Sequence, residues 1–289
     1  EITEQVSQWL QQPDDLTRLV YDAGVILSRQ NVKYAEIAVS PSLFMLNQQP
    51  FDEFMEALND GRERAERGWK IQMRWILSVS RDEPRRADEV VRWATSAVGR
   101  KGGVVGLALH GDSAEQPVGQ FERAFSMAEK KGLPRVAQTS PTGGAEEAIE
   151  MMDNLLVSRL VDGRGAADAP NVLSRLASSS TALTVSVARG LCHNWYADRS
   201  VYPMRELVDN VPVVIGTDMP TYYKTSLVEE YLGAVEHNAL EVDDIEKIAL
   251  NAIRHSFLPE DERVTLRKEH EAEFAKLREQ LASEPESQS

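Results

Sequence analysis

Apolar positions along the chain switch repeatedly between two periods. Leu16, Leu19, Val20, Ala23 and Leu27 recur at helical spacing behind Pro13-Asp14-Asp15, a helix start with acids in its first turn. The next segment, VKYAEIAVS (32–40), is a short β-rich run stopped by Pro41. A helix through Phe54, Met55 and Leu58 leads to the strand IQMRWILSVS (71–80). Another, marked by Ala87, Val90, Val91, Ala94 and Val98, leads to VVGLALH (104–110). Phe121, Ala124, Phe125 and Ala128 mark a helix before RVAQT (135–139), and Ala148, Ile149 and Met152 one before LLVSRLV (155–161). A short helix over 172–176 precedes ALTVSVA (182–188), and a helical turn over 204–208 precedes VPVVIGTD (211–218). Helices over 226–236, 243–254 and 260–281 close the pattern.

Each of these seven strands is followed by a helix or helical turn. Most are apolar through the middle and polar at the C-terminal end, the pattern of parallel strands covered on both faces. An open doubly wound sheet and a (β/α)8 TIM barrel lacking one strand both fit. The Gly-rich run GGVVGLALHG has no G-x-G-x-x-G opening a helix, and no P-loop is present, so the barrel is favoured. The expectation is a single α/β barrel domain over 1–283, incomplete or trimmed at the N-terminus, with 284–289 a frayed tail. Its first strand is absent from the visible chain: either it lies upstream of Glu1 or the barrel is open there.

Charge narrows the partners. The chain carries 32 Lys+Arg against 46 Asp+Glu, a formal net charge of −14, and no basic cluster overrides that balance. Nucleic acid is therefore excluded, since phosphate binding needs a concentrated basic surface. The longest uncharged stretch, 37–51, is too short to span a bilayer and is interrupted by Pro41, so no membrane role is expected. A single cysteine, Cys192, excludes an intrachain disulfide and a thiolate zinc cluster. With no signal-peptide core in the first twenty residues, a reducing, cytoplasmic setting follows.

Barrel chemistry belongs to the C-terminal strand ends. In order these carry Ser40; Ser78, Ser80 and Arg81; His110 and Asp112; Gln138, Thr139 and Ser140; Asp162; Ser186 and Arg189; Thr217 and Asp218. Asp218, directly after VPVVI, can bind a metal, orient a water, or only cap the next turn. Asp162 is a functional acid or the first half of an Asp-Gly turn. Gln138 is a ligand-binding amide or the filler of a vacated site. His110 is an acid/base group or a hydrogen-bonded loop histidine. Trp195 and Tyr196 suit a lid or wall, whereas the sequence neighbours Cys192 and His193 are a poor nucleophilic pair, which needs spatial adjacency. His237, His255 and His270 fall in helices away from the strand ends.

An ordered set of landmarks extends from about residue 13 to about residue 279: VKYAEIAVSP, VVGLALHGD, TGGAEEA, SRLVDG, VVIGTDMP, SLVEEY and NAIRHSF. In that order and spacing the chain resembles the adenosine deaminase family of metal-dependent (β/α)8 amidohydrolases. The resemblance implies that family's barrel and aligns its catalytic motifs with this sequence. The family's H-A-G-E supplies a zinc-binding His and a proton-donating Glu, and these positions hold Gln138 and Pro141. The His of R-I-G-H-G becomes Asp162, and T-D-D-P becomes Thr217, Asp218, Met219 and Pro220, so the metal-binding acid is kept. G-D-E becomes Gly111, Asp112 and Ser113, and C-P-x-S-N becomes Ser186, Val187, Ala188, Arg189 and Gly190. The first-strand H-x-H would lie before Glu1.

Catalytic zinc needs about three protein ligands, and hydrolytic deamination needs a general acid beside it. The resemblance therefore implies a degenerate member that has lost zinc-dependent deamination, with no metal and no cofactor. Its retained polar mouth is expected to bind a small polar, nucleoside-like molecule through Gln138, His110, Asp112, Thr139, Ser140, Arg189 and Trp195. Asp218 and Asp162 are the expected catalytic pair, because two carboxylates in one cavity split into acid and base. Two alternatives stay open: a structural or partner-regulating pseudoenzyme, and a true zinc-dependent adenosine or purine deaminase with a rearranged site. A homo-oligomer is compatible with all three.

Overall fold

Burial along Gln72–Ser80 shows why this segment is a central strand. Met73, Trp75, Leu77 and Val79 are at most 1% exposed on one side, while Ile76 and Ser78 are buried on the other. A strand covered on both faces needs a near-continuous apolar run, which is what the sequence supplies. The computed structural model describes residues 8–45, 49–162, 166 and 169–283. The tail 284–289 and Gly163 of the Asp-Gly pair lie outside these. The chain divides into two compact units, Glu1–Arg175 and Leu176–Ser289.

The first unit opens with α1 (Pro13–Arg29), β1 (Tyr34–Val39), α2 (Phe51–Gly68) and β2 (Gln72–Ser80). It continues with α3 (Ala87–Thr95), α4 (Ala97–Lys101), β3 (Val104–His110), α5 (Glu122–Lys130), β4 (Arg135–Gln138), α6 (Ala145–Asn154) and β5 (Arg159–Val161). Each strand pairs in parallel with the next, as in Tyr34↔Gln72, Leu77↔Leu107, Ala108↔Val136 and Gln138↔Val161. The helix expected over 87–98 is two, because Ser96 is extended and its Oγ accepts from Gly99 N. The strand expected over 155–161 is shorter, because Leu156 takes a left-handed turn at φ 51°. Arg159 of β5 forms a buried ion pair with Glu36 of β1, so the five strands curl until their inner faces meet.

Helices α1 and α2 pack closely enough to set residue size. Thr17 Oγ1 donates to the Ala57 carbonyl at 2.9 Å, and a Cβ on Gly61 would lie 2.3 Å from the Thr17 carbonyl oxygen. Backbone cannot yield as a flexible side chain can. Gly61→Ala is therefore expected to destabilise by about 1–3 kcal/mol, despite alanine's better helix propensity. Gly68→Ala, where a Cβ meets nothing within 4 Å, is the matched control. Urea midpoints check the pair, and equal midpoints would refute the steric account.

The second unit begins with β6 (Ala182–Val185), α7 (Val187–Cys192), α8 (Met204–Asn210) and β7 (Val213–Ile215). Helices α9 (Leu227–Asn238), α10 (Val242–Arg254) and α11 (Glu260–Ser283) follow. β6 and β7 pair in parallel, with Leu183↔Val213 and Val185↔Ile215 in register. α10 packs on β7, where Asn251 Nδ2 donates to the Val213 carbonyl at 3.1 Å. The strand expected over 182–188 ends at Val185. Ser186 Oγ accepts from Arg189 N and starts a helix there instead. Among the described residues no helix is long and apolar enough to cross a membrane.

Candidate functional site

The polar strand ends of the first unit are tied into one network. β2 and β3 end side by side: Arg81 N donates to the His110 carbonyl at 2.9 Å. Gly111 follows at φ 114°, where an added Cβ would lie 3.1 Å from Arg81 Cβ, so this turn requires glycine. Arg81 is fully buried, and its Nη2 meets Glu147 Oε1 at 2.8 Å. The other oxygen of Glu147 accepts from Ser140 N at 2.8 Å. Ser140 Oγ donates to Asp112 Oδ1 at 2.9 Å, which also accepts from Thr142 Oγ1 at 2.7 Å and Ala114 N at 3.0 Å. The Ala114 N–H first, and then the Thr142 hydroxyl, hold the Asp112 carboxyl below the usual carboxylate range.

The end of β4 meets the end of β5. Gln138 lies opposite Val161 in the register, which brings its Nε2 to 3.3 Å from Asp162 Oδ2. Thr139 is fully buried, with its N–H on the Val161 carbonyl at 3.1 Å. Asp162 is buried with a left-handed backbone at φ 68°. His110 is half-buried at the tip of β3.

In the second unit a buried carboxylate organises the loop after β6. Glu230, 1% exposed on α9, accepts from Val187 N at 2.7 Å, Ala188 N at 3.2 Å, Ser186 Oγ at 3.3 Å and Thr225 Oγ1 at 3.0 Å. The first turn of α7 is thus fixed, and α7 carries Arg189. Arg189 Nη1 donates to Asp218 Oδ2 at 2.6 Å, and its guanidinium lies 5.6 Å from the Trp195 ring centroid. Trp195 stacks on His193 at 5.2 Å, and His193 Nε2 lies 3.3 Å from Tyr223 Oη. Asp218, in the turn after β7, has a left-handed backbone at φ 52°.

The expected site residues therefore fall into two sets. His110, Asp112, Gln138, Thr139, Ser140 and Asp162 belong to the first unit, with Asp112–Ser140 and Gln138–Asp162 in direct contact. Arg189, Trp195 and Asp218 belong to the second and are brought together there. Sequence reading missed Glu147 and Glu230. Glu230 was detectable, since it shares a buried stripe with Gly233, Ala234 and Asn238 at helical spacing.

The adenosine deaminase family model matches residues 2–272. The chain belongs to the adenosine deaminase family. It is 30% identical over 252 residues to the aminodeoxyfutalosine deaminase of Streptomyces avermitilis, covering 85% of this chain and 69% of that protein. A zinc-containing amidohydrolase from Burkholderia ambifaria superposes with a TM-score of 0.86 at 24% identity, covering 95% of this chain and 77% of its own. The Arabidopsis protein ADAL complexed with GMP gives 0.81 at 20% identity, covering 92% and 79%. The fold is thus the parallel α/β, TIM-barrel type of this family, as the alternation of elements predicts.

Membership implies a zinc site, and the donor chemistry present can be tested against it. Among the described residues no three His, Cys, Asp or Glu side chains converge to hold a metal ion. Asp218, aligned with the family's metal-binding acid, holds a guanidinium. Gln138, aligned with a zinc-binding His, turns its amide N–H to Asp162. The described residues do not fit the group.

Proposed function

We propose that this family member binds a small polar, nucleoside-like molecule and does not carry out zinc-dependent hydrolytic deamination. The observation that carries the reading is the Gln138–Asp162 contact at 3.3 Å, where the family's motifs call for two imidazoles. An amide beside a carboxylate offers donor and acceptor together, the combination that matches the edge of a heterocyclic base. His110, Thr139, Ser140 and Asp112 supply further polar groups in that unit, and Arg189 and Trp195 supply a cation and a ring in theirs. Relatives named adenosine deaminase and adenine deaminase, and the ADAL structure with GMP, support the same ligand class. Asp162 and Asp218 are the carboxylates proposed for any proton transfer, each held by a partner in its own unit.

The test is a thermal-shift and calorimetric screen of adenosine, adenine, inosine, IMP and GMP, run beside ammonia release and metal analysis of protein purified without chelator. Binding should stabilise the fold by about 2.7 kcal/mol at about 100 Kd, without ammonia release. Stoichiometric zinc with ammonia release would overturn the reading. It would establish instead a true deaminase with a rearranged site, which the deaminase names of the relatives favour.

A further inference from the structure

The second unit builds a fixed position for one cation, and the chain fills it with its own side chain. Arg189 is 6% exposed at the side chain and Asp218 is 24% exposed, with Nη1 and Oδ2 at 2.6 Å. A guanidinium so far from water needs a carboxylate and further polar contacts, because desolvating an arginine without them is strongly unfavourable. Its placement is not left to a flexible loop. Glu230 grips the backbone of Val187 and Ala188, Ser186 Oγ accepts from Arg189 N at 3.3 Å, and Trp195 lies under the guanidinium plane. Asp218 has a left-handed backbone at φ 52°, two residues before Pro220. The turn that carries Arg189 is therefore positioned by contacts separate from the pair itself.

We infer that Arg189 is a resident cation that closes the Asp218 carboxylate to divalent metal. A divalent ion approaching Asp218 would meet a fixed positive charge within hydrogen-bonding distance of the oxygen it must bind, and like charges so placed repel strongly. Arginine cannot lose its proton to make way. Metal could reach this oxygen only if the guanidinium left its bond to Asp218 and its place over the Trp195 ring. The inference rests on the metal-free reading above but concerns one carboxylate, so the two can fail separately.

The experiment titrates Zn2+ into tag-free protein by calorimetry, with Co2+ absorption as a second readout of coordination. In the wild type, Asp218→Asn should leave divalent binding unchanged. Arg189→Gln should raise divalent affinity by about tenfold or more, and Asp218→Asn on that background should remove the gain. Arg189→Lys keeps the positive charge, is the milder change for folding, and should behave as the wild type. Wild-type zinc binding that Asp218→Asn abolishes would overturn the inference. So would an Arg189→Gln protein that folds, by circular dichroism, and binds no better than the wild type. Zinc held in the wild type and indifferent to Asp218→Asn would count against the metal-free reading while leaving Arg189 in its role. Should Arg189→Gln fail to fold, Arg189→Met carries the same test: a gain in divalent affinity lost with Asp218→Asn supports the inference, and a folded Arg189→Met protein that binds no better than the wild type refutes it.

Discussion

Glu36→Ala is expected to lower the unfolding free energy by about 3–5 kcal/mol, the loss typical of a buried ion pair broken from one side. The Glu36 side chain is 4% exposed and that of Arg159 is 13% exposed. Tyr34 Oη also donates to Glu36 Oε1 at 2.8 Å. Burial first, and then the Glu36 charge, push the Tyr34 phenol far above its ordinary pKa. Removing the carboxylate deprives a guanidinium and a hydroxyl of a shared acceptor inside the curl of the first unit. The pair Glu36→Leu with Arg159→Met should recover most of the loss, because burying neither charge avoids both desolvation penalties. Urea denaturation of the wild type, the single variant and the double variant measures all three. A single-variant loss under about 1 kcal/mol would place the pair with surface ion pairs and refute the account.

That ion pair also shows what kind of information the sequence carries. VVGLALH (104–110) is a strand over its whole length: a mostly buried apolar run of this length, bounded by Gly103 and Gly111, is too short for a buried helix and suits a strand covered on both faces. The expected strand over 182–188 fails after Val185 for an equally definite reason. The residues VSVA read as β-rich, but a serine N-cap and a carboxylate arriving from α9 satisfy the amides of Val187 and Ala188 in a helical turn. Periodicity sees local apolar spacing and cannot see an acceptor about forty residues away. The same blindness hides the Glu36–Arg159 contact, which joins the first and last strands of the unit, residues far apart in the chain.

The candidate site divides along the same line. Strand-end logic places His110, Gln138, Asp162 and Asp218 at the polar ends of their strands, since each position follows directly from where an apolar run stops. Their partners are less legible. Gln138 meets Asp162 because β4 and β5 pair with Gln138 opposite Val161, and register is set by the assembled sheet rather than by either strand alone. Asp112 and Ser140 also contact each other, a link between the loops after β3 and β4 that neither run displays by itself. Glu147, in the first turn of α6, reaches Arg81 and the Ser140 amide, a role that the run TGGAEEA does not display.

Glu230→Ala is expected to destabilise the chain by about 3–5 kcal/mol and to release the turn that carries Arg189. Four donors converge on this carboxylate: the amides of Val187 and Ala188 and the hydroxyls of Ser186 and Thr225. Each buried group left without an acceptor costs about 1–3 kcal/mol. The hydroxyls can rotate toward other acceptors, but the amides are fixed by the α7 backbone, so most of the loss comes from them. Glu230→Gln keeps one carbonyl oxygen and puts an amide N–H where the other oxygen stood. Its loss should be smaller, about 1–3 kcal/mol for one donor left unmet. Hydrogen exchange separates a local from a global effect. Exchange at Val187 and Ala188 should quicken in Glu230→Ala well below the unfolding midpoint, while the β2 and β3 amides of the other unit stay protected. If protection at Val187 and Ala188 instead fell only in step with global stability, Glu230 would be one more buried contact, and the geometry that presents Arg189 to Asp218 would have to come from Trp195 and Ser186 alone.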